Sequence, residues 1–281
     1  MPFSTLISTE TVAAHLADPT FALVDCRFKL EDVIWGERDY ASRHIPGAVY
    51  AHLDRDLSGP KTGHNGRHPL PDMDTLIRTL SRFGIEPGIQ VVAYDQDAGA
   101  FASRLWWLLR WLGHDAVAVL DGGLAKWVAE SRAVVGGLET RSTRSFVGHA
   151  RASLTVAAEQ VQEAIGAREW LLLDARAPER YRGEIEPVDK VAGRIPTSRN
   201  FFHQRTVRDD GTFRSIEELR QGLGAAIEGM PPDRVICYCG SGVTACQNLL
   251  AMEHVGLHGA KLYPGSWSEW SSDAARPVAR G

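Results

Sequence analysis

The sequence predicts an α/β protein of two similar domains, each a mostly parallel sheet with helices on both faces. Three observations carry this. Short apolar runs such as "FALVD" (21–25), "VVAY" (91–94), "WLLLD" (170–174) and "VICY" (235–238) alternate with stretches of helical period. Such runs read as strands buried on both faces, and their alternation with helices implies a parallel sheet. Four blocks also recur in the same order about 150 residues apart, which marks a duplicated domain rather than a solenoid. The length of 281 residues fits two domains of ordinary size.

The elements follow in the same order in each copy. A helical pattern opens both, at 8–17 ("STETVAAHLA") and 154–166 ("LTVAAEQVQEAIG"). Ser8 or Thr9 supplies the first N-cap. The first buried strand follows, with "FALVDCRF" (21–28) answering "WLLLDARA" (170–177). In both, an arginine trails the strand-end aspartate (Asp25 and Arg27, Asp174 and Arg176), which predicts a shared structural ion pair. An Ile-Pro step then opens a strand in "HIPGAVY" (44–50) and "RIPTSRN" (194–200). Helices at 73–84 and 215–224 lead to the second buried strand, where "VVAYDQDAGAFASRLWWLL" (91–109) answers "VICYCGSGVTACQNLLAME" (235–253). Trp106, Trp107 and Trp111 share the helix after it, and are expected in the core and at the domain interface. "VLDGGLAKW" (119–127) and "LYPGSWSEW" (262–270) close the units, with Trp127 and Trp270 as structural residues at repeated positions. The polar stretch between the copies lacks periodicity. It sets the boundaries at 1–130 and 149–281, with 131–148 as linker.

Composition narrows the function. The chain is 44% hydrophobic and 23% charged with a net charge of -4, a globular profile that gives no reason to expect nucleic acid. The oily stretch 105–113 is interrupted by Arg110 and is too short to span a bilayer. The N-terminus has neither a basic nor an apolar leader region. The expectation is a cytoplasmic protein without membrane partners. Four cysteines are few for a disulfide scaffold of this size.

Three of those cysteines fall in "ICYCGSGVTAC" (236–246), between a strand and a helix. "GSGVTA" (240–245) matches a dinucleotide fingerprint, but the one strand that follows carries no acidic residue. Cys237, Cys239 and Cys246 lack the second ligand pair of a structural zinc site, so no metal is expected. The remaining reading makes Cys239 a nucleophile at the strand-to-helix turn. Thiolate is the reactive form of cysteine, and amides aimed at one point stabilise an anion there, as a helix N-terminus does. Gly240, Gly242, Val243 and Thr244 would form that cradle, the glycines letting the backbone close around sulfur. Cys237 reads as a buried strand residue and Cys246 as a helix-face residue. The first copy has "DQDAG" (95–99) instead, which predicts one active domain and one supporting domain. Phosphatases of the C-x₅-R type need arginine where this loop has Ala245, which argues against oxyanion chemistry of that kind.

"HIPGA" (44–48), "CGSGVTA" (239–245) and "GSWSEW" (265–270) resemble the tandem rhodanese-domain sulfurtransferases, the family of rhodanese and 3-mercaptopyruvate sulfurtransferase, over nearly the whole chain. The resemblance implies two rhodanese-like domains and no metal or organic cofactor. It also implies a Cys239 persulfide that passes a sulfane sulfur from a small anionic donor to cyanide, a thiol or a thioredoxin-like acceptor. Gly240-Ser241-Gly242 resembles the mercaptopyruvate-preferring members. In those, the loop serine joins an aspartate and a histidine, here Asp54 and His68, with His64 as the substitute. An imidazole of this kind carries protons. Arg180, in "APERYRG" (177–183), matches the arginine that grips the donor carboxylate. The family's second arginine is replaced by Val188 in "IEPVDK" (185–190), which leaves Arg194 or Lys190 to supply the charge. The family's usual histidine and glycine are Arg194 and Thr197 in this chain. The alternatives are a thiosulfate-type rhodanese and a non-catalytic persulfide carrier.

Overall fold

The computed structural model describes residues 2–281. The chain forms two compact units. One comprises the residues up to Gly59, Pro71–Arg151 and Val207–Phe213, and the other Pro60–Leu70, Ala152–Thr206 and Arg214–Gly281. Residues 131–148 thus pack with the first unit. The stretch 60–70, which lies inside the first sequence copy, packs with the second.

The first unit holds strands β1 (Leu6–Ile7), β2 (Phe21–Asp25), β3 (Val49–Tyr50), β4 (Gln90–Tyr94) and β5 (Val117–Leu120), in the order β1-β5-β4-β2-β3. The second holds β6 (Leu171–Asp174), β7 (Arg199–Asn200), β8 (Val235–Tyr238) and β9 (Lys261–Leu262), in the order β7-β6-β8-β9. All paired strands run parallel. Counted from the edge, β5-β4-β2-β3 and β9-β8-β6-β7 are the same order. Where β1 pairs β5 in the first unit, the second has only a parallel bridge from Thr155 to Leu262. Every residue of β2, β4, β6 and β8 is buried, as expected for strands covered by helices on both faces.

The helices show how local chemistry sets their ends. Ser8 caps Thr9–Ala14, its hydroxyl accepting from Thr11 N–H. The helix at 154–166 shortens to Ala158–Ala164, after a 3₁₀ turn at Ala152–Leu154. Ser215 and Glu218 form a capping box on Ile216–Ile227, longer than the stretch 215–224. Ala102–Trp111 is buried along most of its length, with Trp106 and Trp107 in the core. Ala245–His254 is likewise buried from Ala245 to Met252. No helix among the described residues is long and apolar enough to cross a membrane.

The duplication extends to single bonds. Arg27 makes bidentate contacts to Asp25, and Arg176 to Asp174, each pair sealed from solvent. A buried charge pair persists only when its hydrogen bonds are complete. Here each guanidinium also donates to a carbonyl, Arg43 in one unit and Gly193 in the other. The hydroxyls of Tyr94 and Tyr238 accept from the N–H groups of Ile45 and Ile195 at 3.3 Å. Trp127 and Trp270 are fully buried, their indoles donating to the carbonyls of Ala133 and Pro277.

Candidate active site

Cys239 is the first residue past the carboxyl end of β8, a central strand of its sheet. Parallel sheets present ligands at these strand ends. Both ends of the residue are held. Its Sγ accepts from Gly242 N–H at 3.1 Å, and its own N–H donates to Ser266 Oγ at 3.1 Å. Its carbonyl accepts from Trp267 N–H at 3.0 Å. Ser266 reaches this position with φ 52, a conformation that costs a non-glycine residue energy. Its hydroxyl donates onward to the carbonyl of Tyr263 at 2.9 Å.

The two loop glycines serve different ends. Gly242 has φ 74, and a Cβ there would stand 2.3 Å from the carbonyl oxygen of Pro264. Only glycine fits such a turn. Gly240 lies outside the left-handed region. A Cβ on Gly240 would come within 2.9 Å of Arg67 Nη2 and 3.6 Å of both terminal nitrogens of Arg180. The missing side chain therefore makes room for two guanidinium groups. Val243 is buried, and Thr244 precedes the helix Ala245–His254 without a side-chain cap bond, the helix N-terminus adding partial positive charge beside the sulfur. Cys246 donates its S–H to the Gly242 carbonyl at 3.3 Å. Cys237 is fully buried with its sulfur 4.0 Å from that of Met252, and burial holds its thiol well above the usual range.

The stretch Pro60–Leu70 reads this loop with three consecutive residues. Gly66 (φ 83) allows close approach, since a Cβ there would lie 2.8 Å from the Gly265 carbonyl oxygen. Arg67 N–H donates to Ser268 Oγ at 3.0 Å, while Ser268 N–H donates to the Gly240 carbonyl at 2.9 Å. His68 Nδ1 and Ser241 Oγ share a hydrogen bond of 2.7 Å, both residues being buried. The two guanidinium groups stand together because carboxylates hold them. Arg180, on the short helix Pro178–Arg182, donates to Glu186 at 2.6 Å and to one oxygen of Asp189 at 3.4 Å. Arg67 donates to the other oxygen of Asp189. Glu186 is itself fixed by Arg176 and by the N–H groups of Val188 and Asp189.

Cys239, Gly240, Ser241, Gly242, His68 and Arg180 thus meet around one loop. Arg194 does not join them: its guanidinium donates to the Gly281 carbonyl at 2.5 Å and lies 4.6 Å from the Tyr181 ring. Lys190 and His64 are exposed and line a cavity that Arg67 also lines. Asp54 lies in the first unit, in the turn of helix Leu53–Asp56, its N–H donating to His52 Nδ1 at 3.1 Å. Arg67 and Ser266 are the residues that sequence reasoning missed. Their signals were adjacency to His68 and membership of the repeated "GSWSEW" block.

In the first unit the matching loop surrounds a carboxyl group. Asp95 stands where Cys239 stands in the second unit. Its carboxylate accepts from the N–H groups of Asp97 and Gly99 on one oxygen, and of Phe101 and Ala102 on the other, at 2.8 to 3.2 Å. In this copy the loop's amides converge on the loop's own side chain.

Comparison with known proteins agrees with this architecture. The Rhodanese-like domain matches twice, at residues 8–130 and 157–273. The chain is 46% identical over 283 residues to the Pseudomonas aeruginosa protein named "Probable 3-mercaptopyruvate sulfurtransferase", with 100% of each covered. It is 32% identical over 279 residues to the thiosulfate sulfurtransferase of Bos taurus, covering 95% of this chain and 92% of that one. In three dimensions it is similar to 3-mercaptopyruvate sulfurtransferase from Leishmania major, with a TM-score of 0.83 at 29% identity, covering 95% of this chain and 74% of that one. The chain belongs to the rhodanese-like family. Within that family it is a sulfurtransferase, an enzyme that takes sulfur from a donor and delivers it to a thiophilic acceptor.

Proposed function

We propose that the enzyme transfers the sulfur of 3-mercaptopyruvate through a persulfide on Cys239. The observation that carries this is the 2.7 Å bond between Ser241 and His68, two residues from the sulfur-bearing Cys239. The Cys239 thiolate attacks the donor sulfur. The donor's S–C bond breaks, and its electron pair passes to carbon as the enolate of pyruvate. The enolate then takes a proton, for which the Ser241–His68 pair is the carrier. Gly242 N–H and the helix N-terminus stabilise the sulfur anion before and after the step.

Arg180 and Arg67 form the clamp for the donor's carboxylate. Arg67 fills the role left vacant by Val188, from a different segment of the chain. Planar guanidinium groups suit a carboxylate held through paired bonds. Because two such groups also suit a doubly charged donor, thiosulfate is the second reading. In the second half-reaction a thiol, a thioredoxin-like protein or, in the test tube, cyanide removes the outer sulfur. Four free cysteines and persulfide chemistry fit a cytoplasmic setting.

Steady-state kinetics with both donors tests this. Mercaptopyruvate should show the higher kcat/KM. Arg67→Ala and Arg180→Ala should each raise its KM by about 10-fold or more, the cost of a charged hydrogen bond. Faster turnover with thiosulfate would assign the second reading. An unchanged KM for both donors in either variant would remove that arginine from the clamp.

A further inference from the structure

Beside the clamp lies a cavity of about 440 Å³. Its wall carries Lys61, His64, Arg67 and Lys190. Asp189 is the one carboxylate among its described lining residues, and it is already held by Arg67 and Arg180. Its described lining thus carries more cationic than anionic side chains, in a chain whose net charge is -4. Ser268 and Ser271 add hydroxyls, and Gly63 and Gly66 leave the wall without side chains there. Two residues of its lining, Arg67 and Ser268, also approach Gly240 of the Cys239 loop. A three-carbon donor gripped by the clamp is far smaller than this space, which falls within the range for drug-sized ligands.

We propose that this cavity binds the carboxylate-bearing body of the acceptor, a low-molecular-weight thiol with more than one carboxylate. The proposal rests on the reading of Cys239 as the persulfide carrier. The cations seat the acceptor's carboxylates and bring its thiolate to the outer sulfur of the persulfide. A new S–S bond forms between acceptor and outer sulfur as the old one breaks, its electron pair returning to Cys239 as thiolate. The acceptor leaves as a persulfide, and no external oxidant or reductant enters.

Lys61→Glu, Lys190→Glu and the double variant test this, with glutathione as the multiply charged acceptor and 2-mercaptoethanol as the uncharged one. The expected result is a rise in KM for glutathione of roughly 5-fold per reversal, larger in the double variant. The KM for 2-mercaptoethanol and the kcat/KM for mercaptopyruvate should stay at the wild-type value. Equal changes with both thiols, or none with glutathione, would overturn the acceptor site. Mass spectrometry of Cys239 after mixing wild type with mercaptopyruvate alone separates the two readings. A persulfide there with no acceptor discrimination defeats only the cavity proposal, and absence of the persulfide defeats both.

Discussion

Cys239 sits where strand geometry, a glycine turn and a serine hydroxyl all converge, so single substitutions around it should separate chemistry from scaffold. Cys239→Ser keeps the hydrogen bonds available to a small side chain but loses the nucleophile. Sulfur transfer should fall by more than about 1,000-fold while the protein remains folded, read by turnover and circular dichroism. Ser241→Ala leaves the nucleophile intact and removes the partner of His68. Turnover of mercaptopyruvate should fall by about 100-fold, the usual size of a general acid–base contribution. Thiosulfate needs no enolate protonation, so its turnover should fall much less. Equal losses with the two donors would show that the serine serves the fold and not the proton.

At the scale of the element, the two copies of the loop make a controlled pair. In the first, four amides converge on the Asp95 carboxylate, yet burial pushes that carboxyl up to about 6. A group raised in the folded state holds its proton more tightly folded than unfolded. Its stabilising contribution is therefore complete below the unfolded value near 4 and is lost as pH rises through about 6. Asp95→Asn cannot ionise and should unfold at lower urea at every pH. Its deficit against wild type should shrink between pH 4 and pH 7. A second element-scale test lies at the turn before β7. Thr197 occupies φ 61 where the matching Gly47 of the first unit has φ 76. Thr197→Gly should therefore raise stability by about 1 kcal/mol in urea unfolding, the usual cost of a left-handed residue with a Cβ.

At the scale of the molecule, the Cys239 loop is contacted by a segment far away in sequence. Pro60–Leu70 packs with the second unit and delivers Arg67 and His68 to a cysteine more than a hundred residues away along the chain. Replacing residues 60–70 by a glycine-serine linker of equal length should abolish mercaptopyruvate turnover. Far-UV circular dichroism should change little, because no strand or helix lies in that segment. Retained turnover would mean that the loop works without it.

Periodicity and the four repeated blocks determined the duplicated parallel α/β fold, because buried strands and packed helices leave apolar patterns in any chain that forms them. The Asp-Arg pairs and paired tryptophans were equally legible, since each recurs at the same place in both copies. The loop "CGSGVTA" pointed to Cys239 for a local reason: thiol, tight turn and helix start are contiguous in sequence. Tertiary structure alone decided the charge around it. Arg194, which stands where the family has a histidine and was the sequence's candidate for the second cation, donates instead to the Gly281 carbonyl, whereas Arg67 carried no motif of its own and came to Gly240 through the fold. Long side chains reach several ångströms from their backbone, so which guanidinium meets the sulfur site depends on the path of a non-contiguous segment.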